Sequence, residues 1–285
     1  MGKREMKEEV APKRARAKKK AGAMDIVLRV LMIICIVAIV VSGAYLGWYF
    51  WEAHSNTAAS EEAADQFVKT VTVEVPTTSE ESSASVAEVQ EEETFTVDFG
   101  ALQAASPYAK GWIRISGLDV VDYPVVWYTD DDYFLNHAWD GASSRYGAIF
   151  MEAANTPDFS DCYTIIYGHN MKNGSMFGSL KKYQNKSFFD ENGGKITICL
   201  PGETRTYQIF AARYADPADQ SVYMVGFAHD ETFGNYLQNI KNNSLYNTGV
   251  EVSQDDNVIM LSTCANGGTS RFVVHAKLVE SVVVE

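Results

Sequence analysis

The chain has 285 residues, of which 46% are hydrophobic, so it is long enough to build a full hydrophobic core. Its net charge of −13 is unevenly distributed, because nine basic residues lie within residues 3–20 and ten acidic residues within residues 61–93. Four cysteines are too few for the disulfide framework of a small secreted domain, which excludes that class. The basic segment alone would also suit a nucleic-acid-binding arm. The apolar segment that follows it favours another interpretation, in which the basic residues set the orientation of a membrane-spanning helix. We therefore expect no nucleic-acid partner.

The first predicted element is a membrane-spanning helix. Residues 30–51 are 22 residues without a charge, which matches the roughly 20 apolar residues that cross a bilayer core. Basic residues precede this segment and acidic residues follow it, so the positive-inside rule places the N-terminus in the cytoplasm. The segment ends in Trp48-Tyr-Phe-Trp51, which resembles an interfacial aromatic belt and lacks the small residues of a signal-peptide cleavage site. We therefore expect a basic cytoplasmic tail at 1–24 and an uncleaved single-pass anchor at 25–51.

Residues 52–94 are rich in Ala, Ser, Thr and Glu and show little periodicity. The run Thr77–Ser85 is of low complexity, and such a composition buries too little apolar area to offset the entropy of ordering it. We predict a flexible acidic stalk outside the cell, with at most a short helix near residues 61–68. From residue 95 the composition becomes globular, and residues 95–285 are predicted to form one extracellular domain.

This domain is predicted to be mostly β. Apolar, β-branched runs bounded by turn residues indicate seven or eight strands: 112–116, 123–128, 147–151, 162–167, 195–200, 204–210, 258–264 and 271–278. Helices are few and short, at 98–105 with Asp98 as N-cap, at 176–183, and at 231–240 within a long excursion at 213–255. Many strands and few helices in about 190 residues favour a closed β-barrel.

The last two predicted strands form a hairpin. The first ends in Ser262-Thr-Cys264, a turn rich in Gly and Asn follows, and the second strand opens with Arg271. This hairpin would place a thiol opposite a guanidinium. Cys35 lies in the anchor, and Cys162 and Cys199 lie inside strand-like runs, where a cysteine is usually a small buried apolar residue. Cys264, beside turn residues, is therefore the candidate nucleophile.

A catalytic thiol usually has a histidine partner. With Cys264 opposite Arg271, His275 pairs near Met260, which is four residues along the strand and roughly 13 Å away at about 3.3 Å per residue. His275 is therefore too distant. His169 follows the end of a predicted strand and precedes the loop 170–175, a position that catalytic groups favour. His169 is the candidate partner.

These residues together resemble the sortases, which are membrane-anchored cysteine transpeptidases of Gram-positive bacteria. The resemblance rests on Leu261-Ser-Thr-Cys264, on Arg271, and on Tyr167-Gly-His169-Asn-Met, and it covers about residues 97–280. The stretch Gly111-Trp-Ile-Arg-Ile and the excursion before the last hairpin are similar to class B members. The resemblance implies an eight-stranded sortase-type β-barrel with a few short helices, preceded by the anchor and stalk.

The resemblance also implies roles for individual residues. Cys264 would attack a Thr carbonyl in a C-terminal sorting motif of the Asn-Pro-x-Thr-x kind, His169 would transfer protons, and Arg271 would hold the oxyanion. No metal or other cofactor is expected. Positions that line the substrate groove in the family correspond here to Asn136, Tyr167, Ser262 and Thr263, although ordinary strand-end packing explains them equally well. The turn after Cys264 is shorter than in some class B members, and Ala265 stands where some have an acidic residue. The fine substrate preference is therefore left open.

The expected reaction joins secreted proteins bearing a C-terminal sorting signal to an amine of a peptidoglycan precursor or wall peptide. A variant of this function is pilin polymerisation, with a pilin lysine as the acceptor. An L,D-transpeptidase is disfavoured, because we would expect its Arg within two or three residues of the thiol. The alternative outside enzymology is a membrane-anchored extracellular binding module with an incidental free thiol.

Overall fold

The computed structural model describes residues 22–76, 89–264 and 270–284. Most of the predicted basic tail, the low-complexity run 77–85 and turn residues 265–269 lie outside the described residues, as does the side chain of Cys264. The chain divides into two compact units, residues 1–52 and residues 53–285.

The first unit contains most of a long helix, α1 (Ala23–Phe67). Within the described residues, the stretch Ile26–Trp51 is long and apolar enough to cross a membrane, and its side chains are not buried against the protein. An exposed apolar surface of this length is what a bilayer-spanning helix requires. The predicted transmembrane helix therefore has a matching helix in the structure.

The segment predicted as a stalk contains more regular structure than expected. The helix continues to Phe67 and leads into β1 (Val68–Pro76), which pairs antiparallel with β2 (Val89–Val97). Ala63 and Phe67 are buried, and the Phe67 and Trp139 rings lie 5.7 Å apart, edge to face. Composition alone misses this pairing, because the β1–β2 ladder and the contact to Trp139 depend on residues distant in the chain.

Eight further strands form a closed barrel, as the sequence predicted. Their bounds are β3 (Ala109–Ile115), β4 (Asp122–Val126), β5 (Ile149–Met151), β6 (Tyr163–His169), β7 (Lys195–Leu200), β8 (Glu203–Ala215), β9 (Val258–Cys264) and β10 (Arg271–Val283). Around the barrel the order is β10-β8-β7-β3-β4-β5-β6-β9. Neighbouring strands are antiparallel except for the pairs β4–β5 and β6–β9, which are parallel.

Three short helices accompany the barrel: α2 (Phe99–Ala105), α3 (Lys186–Asn192) and α4 (Glu231–Asn242). The predicted N-cap of α2 is confirmed, since Asp98 accepts a hydrogen bond from the backbone N–H of Ala101 at 2.9 Å. The predicted helix at 176–183 is wrong. A 3₁₀ turn (Ser179–Gln184) and then α3 occupy this region, and Met176 has a φ of 52°, which a right-handed helix does not allow.

The sheet formed by β6, β9 and β10 is buried on both faces. Ile166, Leu261 and Phe272 point into the barrel interior. The opposite face of this sheet is covered by the segment between β8 and β9, which carries α4. We call the buried residues between that segment and the sheet the outer layer. The outer layer includes the buried strand residues Tyr163, Ile165, Met260 and Val273 and the helix residues Phe233, Leu237 and Ile240. Burial on both faces explains why these strands read as continuous apolar runs.

Candidate active site

Strand register brings the three predicted catalytic positions to one end of the sheet. β6 and β9 run parallel with Tyr163 opposite Val258 and His169 opposite Cys264, and neighbouring strands lie about 4.8 Å apart. On the other side of β9, β10 pairs antiparallel with Val273 opposite Ser262. Two further residues in this register place Arg271 opposite Cys264. Position 264 therefore lies between His169 and Arg271 on adjacent strands.

The three positions also share one face of the sheet. His169 alternates in step with Ile165, position 264 with Met260, and Arg271 with Val273, so all three belong to the face of the outer layer. The site is therefore on the outside of the barrel, beyond the end of the outer layer, and not in the barrel interior. The side chain of Cys264 lies outside the described residues, so only the backbone position of residue 264 enters this comparison.

His275 is excluded as the partner of Cys264, because it lies too far along the strand, as the sequence predicted. The structure pairs it with Met260, as the hairpin register predicted. Its side chain is fully buried, and neither ring nitrogen has a hydrogen-bond partner among the described residues. Burial, aided by the nearby charge of Arg213, lowers the pKa of His275 to about 3. His275 is thus a neutral core residue.

The two cysteines assigned to the core are confirmed there. Cys162 and Cys199 are both buried free thiols. The Cys162 Sγ donates to the carbonyl of Phe227 at 3.1 Å, and burial raises the pKa of both thiols. A raised pKa keeps a cysteine in its unreactive thiol form, so neither is suited to act as the nucleophile.

The His169 ring is held in one tautomer. His169 is the last residue of β6 and only 4% exposed, and its Nε2 lies 3.1 Å from the backbone carbonyl oxygen of Leu135. Because a carbonyl can only accept, Nε2 carries the proton and Nδ1 carries the lone pair in the neutral ring. Nδ1 has no hydrogen-bond partner within the described part of the chain. Burial lowers the pKa of His169, partly offset by the Leu135 bond, so a neutral ring with a basic Nδ1 is favoured.

Two glycines near this histidine have no room for a side chain. A Cβ on Gly147 would lie 2.9 Å from both Cδ2 and Nε2 of His169 and would also clash with the carbonyl of Phe134. A Cβ on Gly168 would lie 2.6 Å from the side chains of Ile149 and Phe177. Gly168 was visible in the sequence as part of the Tyr-Gly-His motif. Gly147 was missed, because it reads as the ordinary start of a strand.

Arg271 is braced by the strand beside it. Its Nη1 donates to the carbonyl oxygen of Thr263 at 3.1 Å. The buried Thr263 hydroxyl accepts from the backbone N–H of Phe272 at 3.0 Å and lies 3.3 Å from the Phe272 carbonyl. The Thr263 side chain, predicted to contact substrate, therefore joins β9 to β10 in this structure.

A cavity of about 260 Å³ adjoins Arg271. It is lined by Asp131, Asp132, Leu135, Phe150, Tyr167, Pro217, Tyr223 and Arg271. Among the other predicted groove residues, Ser262 is fully buried with its Oγ 3.3 Å from the Tyr223 Oη, and Asn136 is exposed, one residue beyond Leu135. Tyr223 was missed because it lies in the excursion, without a motif around it. No cluster of three or more potential metal ligands occurs among the described residues.

Comparisons with known proteins point to one family. A family model described as the Sortase domain matches residues 113–279. Sortase B of Listeria monocytogenes is 36% identical over 182 residues, 62% of this chain and 72% of that protein. Sortase B of Staphylococcus aureus is 30% identical over 187 residues, 64% of this chain and 75% of that protein.

Solved structures lead to the same group. The chain matches sortase B from Bacillus anthracis in complex with AAEK1 with a TM-score of 0.66 and 31% identity, covering 81% of this chain and 99% of that one. It matches a Staphylococcus aureus sortase B–substrate complex with a TM-score of 0.60 and 29% identity, covering 64% of this chain and 84% of that one. Because the family match spans the residues that bring His169, Cys264 and Arg271 together, the chain belongs to the sortase family, in its class B branch of cysteine transpeptidases.

Proposed function

We propose that this sortase cleaves a C-terminal sorting motif of secreted proteins, of the Asn-Pro-x-Thr-x kind, after its Thr and joins the Thr to an amine of the cell wall. The observation that supports this most is the register of β6, β9 and β10. In that register residues 169, 264 and 271 occupy neighbouring positions on three adjacent strands, which supports their proposed roles as base, nucleophile and oxyanion-binding cation.

In the first half-reaction the sulfur of Cys264 attacks the Thr carbonyl carbon and its proton passes to Nδ1 of His169. The negative charge that develops on the carbonyl oxygen is stabilised by Arg271, which stays charged and offers a rigid fork of donors. His169 then gives the proton to the leaving amine as the C–N bond breaks. A thioester between Cys264 and the substrate remains.

In the second half-reaction an incoming amine attacks the thioester. Its proton goes to Nδ1 of His169, the C–S bond breaks, and the proton returns to the sulfur of Cys264. The lowered pKa of His169 suits this step, because a neutral imidazole can accept the proton. The contact between Nε2 and Leu135 keeps Nδ1 as the exchanging nitrogen throughout.

The cavity beside Arg271 is proposed to receive the sorting peptide. Tyr167, Tyr223, Leu135 and Phe150 give it apolar and aromatic surface, while Asp131, Asp132 and Arg271 add charged groups. Such a mixed lining suits an extended peptide that has both apolar side chains and polar backbone groups. Ser262 contacts the Tyr223 hydroxyl and would support it, and for Asn136, which is exposed beside Leu135, we propose a contact with the peptide at the rim. For Thr263 we propose a supporting role toward Arg271.

The proposed topology delivers this site to its substrates. We propose that residues 25–51 anchor the chain, with the tail 1–24 in the cytoplasm and the segment 52–94 connecting to the catalytic domain 95–285 outside. The helix Ile26–Trp51 supports the anchor, and the charge difference across it supports the orientation. Secreted proteins would then meet the enzyme at the outer face of the cell membrane, beside peptidoglycan precursors.

The test is product analysis with the full-length chain in detergent micelles. A sorting-motif peptide and a wall-peptide amine should yield a new amide bond, and mass spectrometry should detect a thioester on Cys264. Cys264→Ala should form neither species, whereas Cys162→Ser, which keeps a donor for Phe227, should retain activity.

The proposal fails if Cys264→Ala cleaves the peptide as well as the wild type. It also fails if saturating amine gives hydrolysis alone, which would indicate a protease. A pilin-type peptide lysine supplied in competition tests the acceptor. Preference for that lysine over the wall-peptide amine would contradict wall anchoring and favour pilin polymerisation.

A further inference from the structure

Tyr167, a residue of the groove wall, is held at its hydroxyl end by a carboxylate. The Tyr167 Oη donates to Oε2 of Glu152 at 2.6 Å. Glu152 directly follows β5 and extends the ladder between β5 and β6, because its backbone N–H donates to the carbonyl of Ile165 at 3.0 Å. The contact therefore arises from strand register, in which Phe150 pairs with Tyr167.

A second acid lies beside the carboxylate of Glu152. Asp131 is close enough to Glu152 for the two carboxyl groups to interact, and its Oδ1 accepts from the backbone N–H of Ala153 at 2.7 Å. Burial is the main cause that raises the pKa of Asp131 to about 6, and the neighbouring carboxylates of Glu152 and Asp130 add to the effect. The Asp131 carboxyl therefore takes up a proton at a higher pH than an ordinary aspartate does.

The Tyr167 ring is confined on its other sides by aromatic rings. Phe150 lies 5.2 Å away and Tyr223 lies 6.2 Å away, the latter nearly parallel. Burial and the Glu152 carboxylate raise the pKa of Tyr167, so its hydroxyl stays protonated and donates. Rings on its faces and an acceptor at its tip define one orientation for the side chain, two residues before His169.

We propose that Glu152 is a positioning residue for the sortase reaction, because its hydrogen bond fixes Tyr167 as a wall of the peptide groove beside Arg271. This inference rests on the proposed function. Glu152 is not among the residues that line the cavity, so it acts through Tyr167. A fixed wall lowers the entropy lost when the peptide binds. Removing the hydrogen bond that fixes the wall should therefore raise KM more than it lowers kcat.

The experiment compares steady-state kinetics of full-length variants with the sorting-motif peptide. Glu152→Ala and Tyr167→Phe should each raise KM about 5- to 10-fold while kcat changes less than about 2-fold, as expected for a lost charge-assisted hydrogen bond in the ground state. The double variant should be no worse than either single variant, because both remove the same contact.

Glu152→Gln should recover most of the wild-type KM. Its amide oxygen can still accept from Tyr167 while its amide nitrogen donates to Asp131. Exposed Glu191 on α3 provides the control for charge alone, and Glu191→Ala should leave KM unchanged.

Three results would overturn the inference: an unchanged KM in Glu152→Ala, additive effects in the double variant, or a Gln variant as weak as the Ala variant. If Glu152→Ala fails to fold, Tyr167→Phe and Glu152→Gln still decide the question. Failure here is distinguishable from failure of the proposed function, which would show as absence of the amide product in the wild type.

Discussion

At the scale of single residues, the backbone carbonyl of Leu135 distinguishes the two nitrogens of His169. Nε2 donates its hydrogen bond to that carbonyl, and Nδ1 remains as the nitrogen that can accept a proton. Burial at the same time disfavours the charged ring, so the pKa falls. The tautomer is thus set by the fold before a substrate arrives, which is how a buried histidine is prepared to exchange protons at a single atom.

The space around this ring gives a prediction for Gly147. In Gly147→Ala the new methyl group would press on His169 at 2.9 Å, at a φ of 59° that also strains alanine. We expect kcat/KM to fall about 100-fold, since a displacement of about 1 Å can cost that much. Peptide-transfer kinetics measure this effect, and thermal unfolding reports the cost in stability.

The control for Gly147 is Gly249→Ala. Gly249 has a similar φ of 79°, but a Cβ there would meet no atom within 4 Å. It should lose stability through backbone strain alone, without the clashes that arise at Gly147, and keep its kcat/KM. An equal loss of activity in both variants would show that the Gly147 effect is general destabilisation.

At the scale of elements, the mouth of the β9–β10 hairpin depends on a side-chain link. The regular β9–β10 ladder ends at Val273 opposite Ser262, and the Thr263 hydroxyl provides the next contact by accepting from the backbone N–H of Phe272. The same residue presents its carbonyl to Arg271. Thr263 thereby couples the closure of the hairpin to the placement of the guanidinium.

Thr263→Val tests this link with a side chain of the same shape. Removing the hydroxyl leaves the buried Phe272 N–H without that acceptor, which should cost about 1–3 kcal/mol in the free energy of unfolding and lower kcat. Denaturation curves and transfer kinetics measure the two effects. Thr263→Ser keeps the hydroxyl and should lose much less. Similar losses in both variants would instead point to packing of the methyl group.

At the scale of the whole molecule, the sheet is buried on both faces, and His275 lies within it without a polar partner among the described residues. In the unfolded chain a histidine has a pKa near 6.5, whereas burial lowers the pKa of folded His275 to about 3. Below pH 6.5 His275 therefore binds a proton in the unfolded chain but stays neutral in the folded chain. Stability due to the neutral ring is complete above pH 6.5 and is lost as the pH falls toward 3.

This difference predicts how stability changes with pH. Between pH 7 and pH 5 the wild type should lose about 2 kcal/mol more than His275→Leu, which has no proton to bind. Thermal unfolding of the full-length chains at both pH values measures the difference. His229→Leu, altered at an exposed histidine, should follow the wild type. Parallel loss of stability in His275→Leu and the wild type would contradict the prediction.

The sequence by itself determined the features that rest on local pattern. Apolar length defined the helix at Ile26–Trp51, and β-branched runs between turn residues predicted the strands of the barrel. The hairpin register followed from one turn, so His275 opposite Met260 was predictable and is confirmed. Motif resemblance then selected His169 and Cys264 from a chain in which spacing alone could not bring them together.

Only the tertiary structure decided which distant segments meet. The parallel pairing of β6 with β9 joins residues 169 and 264, which lie far apart in the chain, and no local signal encodes that pairing. The same holds for Glu152 at Tyr167, for Tyr223 from the excursion, and for the β1–β2 ladder in the expected stalk. The physical reason is that hydrophobic burial is non-directional, so a pattern shows that a strand must be covered but not which strand or side chain covers it.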